Sequence, residues 1–392
     1  MTECNEIIIA SLESYMNGKK LNMDFDSETA EKLICMSRMQ KILPIVFLKN
    51  SQALQKALTK EKYDEVKSEV MFSVFSQVQR NAELVRVCKL FKAEGINCIV
   101  FKGAVCRALY SDSEYRTSSD EDIFVAADSI ERAGELLQSS GYKLTERKSG
   151  ELKLVNPRVK SLLEVHSGLV DSRGSDGMKE IDRLFSAQLE CPVRLKTEAG
   201  DIPTFSPDFG FLSLCVHFFN HFVRGGIGIR PVMDIACFVK NNYEEIDFDY
   251  CFSLLRKINA EGTILSVLSL CRKYFDVECA YQGEEKTVEK LLDDIMNAGA
   301  YGTSDSGRTH SGAVTKKIAR SNRGFVSSAF SVLFQSDEEI VSAHPELKGK
   351  SDEIRKYRFR RIAGFAGEKG KIKTLATASK RNKLLKELGI ID

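Results

Sequence analysis

The stretch that decides the fold lies between Gly95 and Val125 and reads GINCIVFKGAVCRALYSDSEYRTSSDEDIFV. Its first part, NCIVFKG, is a short apolar run that ends in glycine, which is typical of a buried strand. AVCRALY predicts a short helix, SDSEYRTSS a polar loop, and DEDIFV a second strand. The order strand, helix, strand predicts a small unit that combines helices with a sheet.

The residues after this stretch extend the same unit. SIERAGELLQSS predicts a helix that ends at Gly141, and YKLTERK and ELKLVN predict a hairpin that turns at Ser149-Gly150. SLLEVHSGL, residues 161–169, predicts another strand. We therefore expect an α+β fold, in which a small mixed-sheet core is flanked by N-terminal and C-terminal helical regions.

Four regions are expected along the chain. Apolar residues recur at helical spacing before Gly95, a second hairpin is predicted over 192–205, and Ser206-Pro207-Asp208 predicts a helix start. YGTSDSGRTHSG, residues 301–312, predicts a flexible loop. The predicted regions are an N-terminal helical region (1–95), the α/β core (96–205), a helical domain (206–335) and a basic C-terminal segment (336–392).

The composition is that of an ordinary globular protein. Of 392 residues, 43% are hydrophobic and 29% are charged, so a sizeable core can be buried. The formal net charge of +2 excludes a chain-wide binder of polyanions, and any basic patch must be local. The basic C-terminal segment is typical of a solvated helix face, with an RNA contact as the alternative.

The cysteines and the N-terminus indicate a cytoplasmic protein. The 11 cysteines are odd in number and lack paired spacings, which indicates reduced thiols rather than a disulfide framework or a zinc site. The first residues, MTECNEIIIASLESY, do not form a signal peptide. No apolar run approaches the ~20 residues that span a bilayer, so no membrane partner is expected.

A cluster of acidic residues is predicted on the sheet. Alternate residues of a strand point to the same face roughly 6–7 Å apart, so Asp120 and Asp122 project together and Glu121 points the other way. Two carboxylates on one buried face repel each other, and Mg²⁺ or Mn²⁺ would relieve that repulsion. Glu164, on a later strand, is a third acid that would complete a site for two metal ions.

A phosphate-binding element is predicted beside these acids. Gly103 follows a strand and precedes a helix, where glycine allows close backbone approach and the helix N-terminus favours an anion. Lys102 and Arg116 would add positive charge, and Ser118 and Ser119 would donate hydroxyl hydrogen bonds.

Histidines offer a second possible ligand set. His217 and His221 are four residues apart and share a helix face, so they could bind a metal with His166. A packed pair of histidines is the favoured interpretation, because no zinc-type spacing accompanies them. Asp234 is expected to bond a histidine or an arginine rather than a metal, and GGIGIR (225–230) is expected to be a turn.

The stretch 95–125 resembles the nucleotidyltransferase core of the DNA polymerase beta-like superfamily, and more narrowly a bacterial group of nucleotidyltransferase family proteins. The resemblance extends weakly from about residue 80 to 365 and includes LLEVH, HFFNH, RPVMDIACFV, SVLFQSDEEIVSAHPEL and KYRFRRI. The matching positions are Lys102-Gly103, Tyr110, Arg116, Asp120-Glu121-Asp122, Gly141-Tyr142, Glu164, His217, His221, Arg230 and Asp234.

Two positions depart from that pattern. Superfamily members often carry Gly-Gly or Gly-Ser after the first strand, whereas here Gly103 is followed by Ala104, which puts the phosphate contacts in doubt. Glu121 stands where an apolar residue is usual, which predicts that this face of the strand is less buried than in the family.

The resemblance implies a magnesium-dependent enzyme that transfers a nucleoside monophosphate from a nucleoside triphosphate such as ATP and releases pyrophosphate. His166, His217, His221 and Asp234 would support the three acids. The acceptor stays open among a small molecule, a sugar, a protein and an RNA end. The alternative is a catalytically inactive module with the same fold that binds nucleotide, a protein or RNA.

Overall fold

Five strands form the central sheet in this computed structural model, which describes residues 2–169, 175–299, 340, 349–357 and 381–390. The strands are β1 (Cys98–Phe101), β2 (Asp120–Val125), β3 (Lys143–Lys148), β4 (Glu151–Asn156) and β5 (Ser161–His166). Their spatial order is β1-β2-β5-β4-β3. Only the β2–β5 pair of this sheet is parallel, so the sheet is mixed and the predicted α+β class is confirmed.

The chain leaves β2 and returns beside it as β5. Between them lie the helix α6 (Ile130–Ser139) and the predicted hairpin of β3 and β4. The hairpin turns at Gly150, whose φ of +76° is a conformation that glycine adopts without strain. Because the chain returns to β2 after this segment, β5 pairs with β2 and Asp122 lies directly opposite Glu164 in the ladder.

Four helices precede the sheet, as the helical spacing predicts. They are α1 (Glu3–Met16), α2 (Ser27–Met39), α3 (Leu43–Ala57) and α4 (Lys60–Ala93). The 34 residues of α4 make it about 51 Å long. Its first half packs on α3 in a small satellite cluster that includes Val66 and Val70, and its second half packs on the sheet region through Leu84 and Phe91.

The α5 helix (Gly103–Arg107) follows β1, and further helices follow the sheet. After β5 come α7 (Asp176–Ala187), the hairpin β6 (Val193–Thr197) and β7 (Gly200–Thr204), α8 (Pro207–Arg224), α9 (Arg230–Asn242), α10 (Phe248–Arg256), α11 (Glu261–Phe275) and α12 (Glu285–Ala298). The β6–β7 hairpin and the start of α8 after Ser206 confirm the predictions. The sequence did not predict α7. The predicted loop at 301–312 lies outside the described residues.

Apart from the satellite cluster, the buried side chains of these elements form one continuous core. It includes Ile8 of α1, Val100 of β1, Phe218 of α8 and Leu291 of α12. The domain boundaries placed in the sequence stay predictions.

Part of the basic C-terminal segment is buried rather than solvated. Within 381–390, Leu385 and Leu388 belong to the core, and Arg381 is 2% exposed. The Arg381 guanidinium donates to Asp294 at 2.7 Å and to the carbonyl of Phe222 at 2.5 Å. The expectation of a solvated face is therefore wrong for Arg381, which is an internal hydrogen-bond donor, whereas Lys383 and Lys386 of the same stretch are exposed as expected.

The expectation that Glu121 marks a poorly buried face is also wrong. Glu121 is 0% exposed, and α5, which carries Arg107, packs on β2 at this side. Its carboxylate forms an ion pair with the guanidinium of Arg107, which is also 0% exposed, and accepts from the Ser118 hydroxyl at 3.1 Å. Arg107 further donates to Ser118 Oγ at 2.8 Å and to Asn81 at 3.0 Å. A buried carboxylate is tolerated here because a buried cation neutralises it.

This pair yields a stability prediction. Arg107→Leu leaves Glu121 buried without a cation and is expected to lower the free energy of unfolding by about 3–5 kcal/mol. Arg107→Leu/Glu121→Leu together should be closer to the native protein than Arg107→Leu alone, because both charges are removed. Urea denaturation followed by circular dichroism measures both. The exposed Arg147, which pairs with Glu131, is the control, and its Leu variant should lose less than about 1 kcal/mol. A double variant less stable than the single one would contradict this account.

Candidate active site

A cleft of about 1750 Å³ opens beside the sheet. Its walls come from the β1–α5 turn, β2, the β3–β4 hairpin, β5, α7, α8 and α9. The sequence-predicted site residues all line it, namely Lys102, Gly103, Arg116, Ser118, Ser119, Asp120, Asp122, Glu164, His166, His217, His221 and Asp234. The fold thus gathers residues up to 132 positions apart, from Lys102 to Asp234, around one space.

Three of these side chains form a group with metal-ligand spacing. Ligand atoms of Asp122, Glu164 and His166 lie within 4.8 Å of one another. His166 Nε2 is 3.0 Å from Asp122 Oδ1 and 3.7 Å from Glu164 Oε2. The parallel β2–β5 ladder creates the group, because it sets Asp122 opposite Glu164 and places His166 two residues further along the same face. The sequence favoured a supporting position for His166, and the alternative ligand set joined it to His217 and His221 rather than to the acids.

Two lysines neutralise the acids of this group. Lys102 Nζ lies 3.2 Å from Asp122 Oδ1, and Lys153 Nζ lies 2.5 Å from Glu164 Oε1. Burial alone would raise the pKa of Asp122, but the Lys102 charge and the His166 hydrogen bond outweigh it and hold that pKa below its usual range. Asp122 is therefore ionised inside the protein. Lys153 was not predicted, although its register opposite Glu164 in the β4–β5 ladder explains the contact.

The turn at Lys102 is strained and depends on the next glycine. Lys102 has φ +55° and ψ −111°, a conformation that non-glycine residues rarely adopt. A Cβ on Gly103 would lie 2.6 Å from Glu121 Oε2. The structure therefore gives a packing reason for this glycine, while its predicted contact with phosphate stays a prediction.

The remaining predicted phosphate ligands differ in availability. The Ser118 hydroxyl is bonded to Arg107 and Glu121, and the Ser118 carbonyl accepts from Gln77 at 3.2 Å. Ser119 is more accessible, and its hydroxyl lies 3.3 Å from Asp120 Oδ1. Asp120 is half-buried and lies outside the group of three ligand residues.

Arg116 is anchored by Asp234, as expected for that aspartate. Arg116 Nε donates to Asp234 Oδ1 at 3.0 Å and Nη2 donates to Oδ2 at 2.7 Å, while the Tyr110 hydroxyl donates to Oδ1 at 2.9 Å. Burial would raise the pKa of Asp234, but the Arg116 charge outweighs it and keeps the carboxylate ionised. Arg116 Nη1 is buried and has no hydrogen-bond partner among the described residues. Arg116 thus has one buried donor that no described residue uses.

His217 and His221 pack against each other rather than joining the ligand group. Their ring centroids are 4.5 Å apart. Burial, reinforced by the charge of Lys102, lowers the pKa of His217 well below its usual value and that of His221 to about 4. Both imidazoles are neutral near pH 7. This agrees with the packed pair that the sequence favoured.

The comparison with protein families identifies the group to which the chain belongs. The model of a family described as "uncharacterised nucleotidyltransferase" matches residues 26–276. The chain belongs to this nucleotidyltransferase family. No curated protein matches the sequence.

Two solved structures show weak similarity to this nucleotidyltransferase. One is an antigenic nucleotidyltransferase-like protein from Paracoccidioides brasiliensis, with 17% identity, 52% of this chain and 94% of the other covered, and a TM-score of 0.33. The other is a tRNA nucleotidyltransferase complexed with a primer tRNA and an incoming ATP analog, with 15% identity, 76% and 99% covered, and a TM-score of 0.20. Both TM-scores are too low to support a conclusion about this chain. Within the described ranges, no helix has the length and apolar character to cross a membrane.

Acidification is expected to destabilise the protein through the paired histidines. Above the unfolded-state pKa of about 6.5, both states carry neutral imidazole and the pair contributes no pH dependence. Below it the unfolded chain binds protons that the folded chain excludes, so stability falls until the folded pKa of about 4 for His221 is reached. His221→Gln should reduce this slope by roughly 1 kcal/mol per pH unit. Urea denaturation at several pH values between these limits tests it, and an unchanged slope would contradict it.

Gly103→Ala is expected to destabilise the fold by about 1–3 kcal/mol, because the added Cβ meets a carboxylate that Arg107 holds in place. Gly168→Ala is the matched control, since its Cβ would meet its nearest neighbour, Asp182 Oδ2, at 3.4 Å, an ordinary contact. Thermal unfolding followed by circular dichroism compares the two. Equal unfolding midpoints for the Gly103→Ala and Gly168→Ala variants would show that Glu121 does not require glycine at position 103.

Proposed function

We propose that this nucleotidyltransferase moves a nucleoside monophosphate from a nucleoside triphosphate to an acceptor hydroxyl or similar group and releases pyrophosphate. The observation that supports this most is the group of Asp122, Glu164 and His166 inside a large cleft of a chain that belongs to a nucleotidyltransferase family. The cleft volume of about 1750 Å³ exceeds that of a site for one small ligand, so a donor and an acceptor can enter together.

The ligand atoms of Asp122, Glu164 and His166 fit a divalent cation. Two carboxylates supply the oxygen ligands that Mg²⁺ and Mn²⁺ prefer, and the imidazole of His166 adds a nitrogen that suits Mn²⁺ better than Mg²⁺. Asp120, on the cleft side of the same strand, is proposed as a further ligand of a two-metal site. When bound, the metal would supply positive charge for the phosphate oxygens and the entering and leaving groups.

The phosphates would be held by cations and hydroxyls on one side of the cleft. Lys102 and the unpaired Nη1 of Arg116 are proposed to bind phosphate oxygens. Ser119 offers an accessible hydroxyl, whereas Ser118 would contribute only by giving up a buried hydrogen bond. Gly103 would contribute through its backbone.

In the proposed reaction, an acceptor oxygen attacks the α-phosphorus and the bond to the pyrophosphate oxygen breaks. Glu164 is proposed to take the proton of the acceptor, since it lies at the wall of the cleft beside Asp122. His166 would orient Asp122 through their 3.0 Å contact. His217, His221 and Asp234 would support the site by packing and by holding Arg116.

The proposal also covers the nucleoside triphosphate, the superfamily, the source organism and the cellular location. We propose ATP as the first donor to test, membership of the DNA polymerase beta-like superfamily, and a bacterial source, all from the sequence resemblance. A cytoplasmic location is supported by the 11 cysteines, which are all free thiols. The acceptor class stays open.

A nucleotide-binding protein without turnover is the second candidate. The lysine contacts to Asp122 and Glu164 favour it, because Lys102 and Lys153 each place a positive charge beside one of these acids, for which a metal would have to compete. Metal-dependent release of pyrophosphate separates the two functions.

Removal of one acid is the decisive test. Asp122→Asn and Glu164→Gln are each expected to lower Mn²⁺- or Mg²⁺-dependent pyrophosphate release from nucleoside triphosphates by at least about 100-fold, because they remove charge that holds the metal. Calorimetry should show weaker Mn²⁺ binding in the same variants.

Glu135→Gln is the matched control, since Glu135 is an exposed acid of α6 outside the cleft. It should leave metal binding and turnover unchanged. Turnover that survives in both cleft variants would overturn the proposed site. Metal-dependent nucleotide binding without turnover in the native protein would instead favour the second candidate.

A further inference from the structure

One side of α4 exposes a continuous row of side chains that takes no part in the cleft. We call it the α4 stripe. Its members recur at three- and four-residue spacing, so they share one side of the helix. They are Lys60, Glu61, Asp64, Ser68, Met71, Phe72, Phe75, Val78, Gln79, Ala82, Arg86 and Lys89, all exposed. The opposite side of α4 is buried in the core through residues such as Val70, Gln77 and Phe91.

The centre of the stripe is apolar to an unusual degree. Met71, Phe72, Phe75 and Val78 are 54%, 67%, 59% and 47% exposed. Single exposed apolar residues are common, but four adjacent ones, two of them phenylalanines, mark an interaction site.

The charges of the stripe have opposite signs at its two ends. Its N-terminal end carries Glu61 and Asp64 beside Lys60, which leaves a net negative charge, and its C-terminal end carries Arg86 and Lys89. The pattern is centred on Phe75. Glu61 and Lys89 lie fourteen residues to either side of it, and Asp64 and Arg86 lie eleven residues to either side. A surface with this pattern is complementary to itself when one copy is turned around.

We propose that the α4 stripe is the interface of a reversible homodimer, in which two α4 helices pack antiparallel about a two-fold axis at Phe75. Glu61 then faces the partner's Lys89, and Asp64 faces the partner's Arg86. Phe72 faces the partner's Val78, and Phe75 faces the same residue of the other copy. A parallel arrangement would instead place like charges together, so the sequence of the stripe selects the antiparallel one.

The size of the stripe sets the strength of the association. From Glu61 to Lys89 the helix rises about 42 Å, and a single helix pair of that length buries less than a standard interface of roughly 1,600 Å². We therefore expect a dimer that dissociates at micromolar concentrations. The apolar centre supplies most of the affinity, because exposed ion pairs contribute little, while the charged ends set the register.

The outer pair of charges is the most suitable for a test. Within the described part of the chain, Glu61 and Lys89 have no ion-pair partner of their own, so exchanging them disturbs no internal contact. Arg86, in contrast, is bonded to Glu83, which also accepts from Tyr142 and Asn156.

Sedimentation equilibrium of the full chain between about 1 and 100 µM tests the dimer. The native protein should shift from monomer to dimer across this range. Phe75→Glu places two carboxylates at the two-fold axis and should weaken association at least about 10-fold. Val193→Glu alters an apolar side chain of similar exposure, 43%, on β6 and should have no effect. Circular dichroism confirms that each variant is folded.

Charge exchange tests the arrangement itself. Glu61→Lys and Lys89→Glu should each weaken self-association, because every outer contact then joins like charges. A mixture of the two variants should associate more tightly than either alone, since both outer contacts again join opposite charges. A native protein that stays monomeric, a Phe75→Glu variant that still dimerises, or a mixture no tighter than the single variants would overturn the proposal.

Discussion

The rest of this structure depends on one constraint, which is that β2 begins with three consecutive acids, Asp120, Glu121 and Asp122. One face of this strand borders the cleft and the other faces the core. Because β2 alternates its side chains, Asp120 and Asp122 face the cleft while Glu121 enters the core. The core must then supply a cation, and it does so through Arg107. The strained turn at Lys102 belongs to the same solution, since it turns the chain from β1 into the helix that carries Arg107.

The buried acids of the cleft are also paired with basic residues. Asp122 remains ionised in a buried position because Lys102 and His166 contact it, and Glu164 is paired with Lys153. A metal ion that binds these acids competes with ammonium groups already present, so affinity for the metal and placement of the lysines are coupled. The same lysines are then available to phosphate oxygens, which links occupation of the metal site to binding of the nucleotide under the proposed function.

The long helix α4 connects the site to the protein surface. On its buried side, Gln77 and Arg80 hold the carbonyl of Ser118 just before the acidic strand. Glu83, on the same helix, accepts from Asn156 at 2.8 Å, at the far end of the β4 strand. Its exposed side carries the stripe proposed to join two copies. One element would thus support the cleft and define the assembly.

Local features of this sequence determined the order of strands and helices, the same-face placement of Asp120 and Asp122, and the candidacy of Glu164, because these follow from backbone periodicity and turn residues. Only the tertiary structure decided that His166 joins Asp122 and that Lys153 neutralises Glu164. Those contacts arise between strands whose pairing and register depend on packing far along the chain. The burial of Glu121 also depends on tertiary structure, because a charged residue on a strand is stable in the core only when a distant partner, here Arg107, neutralises it.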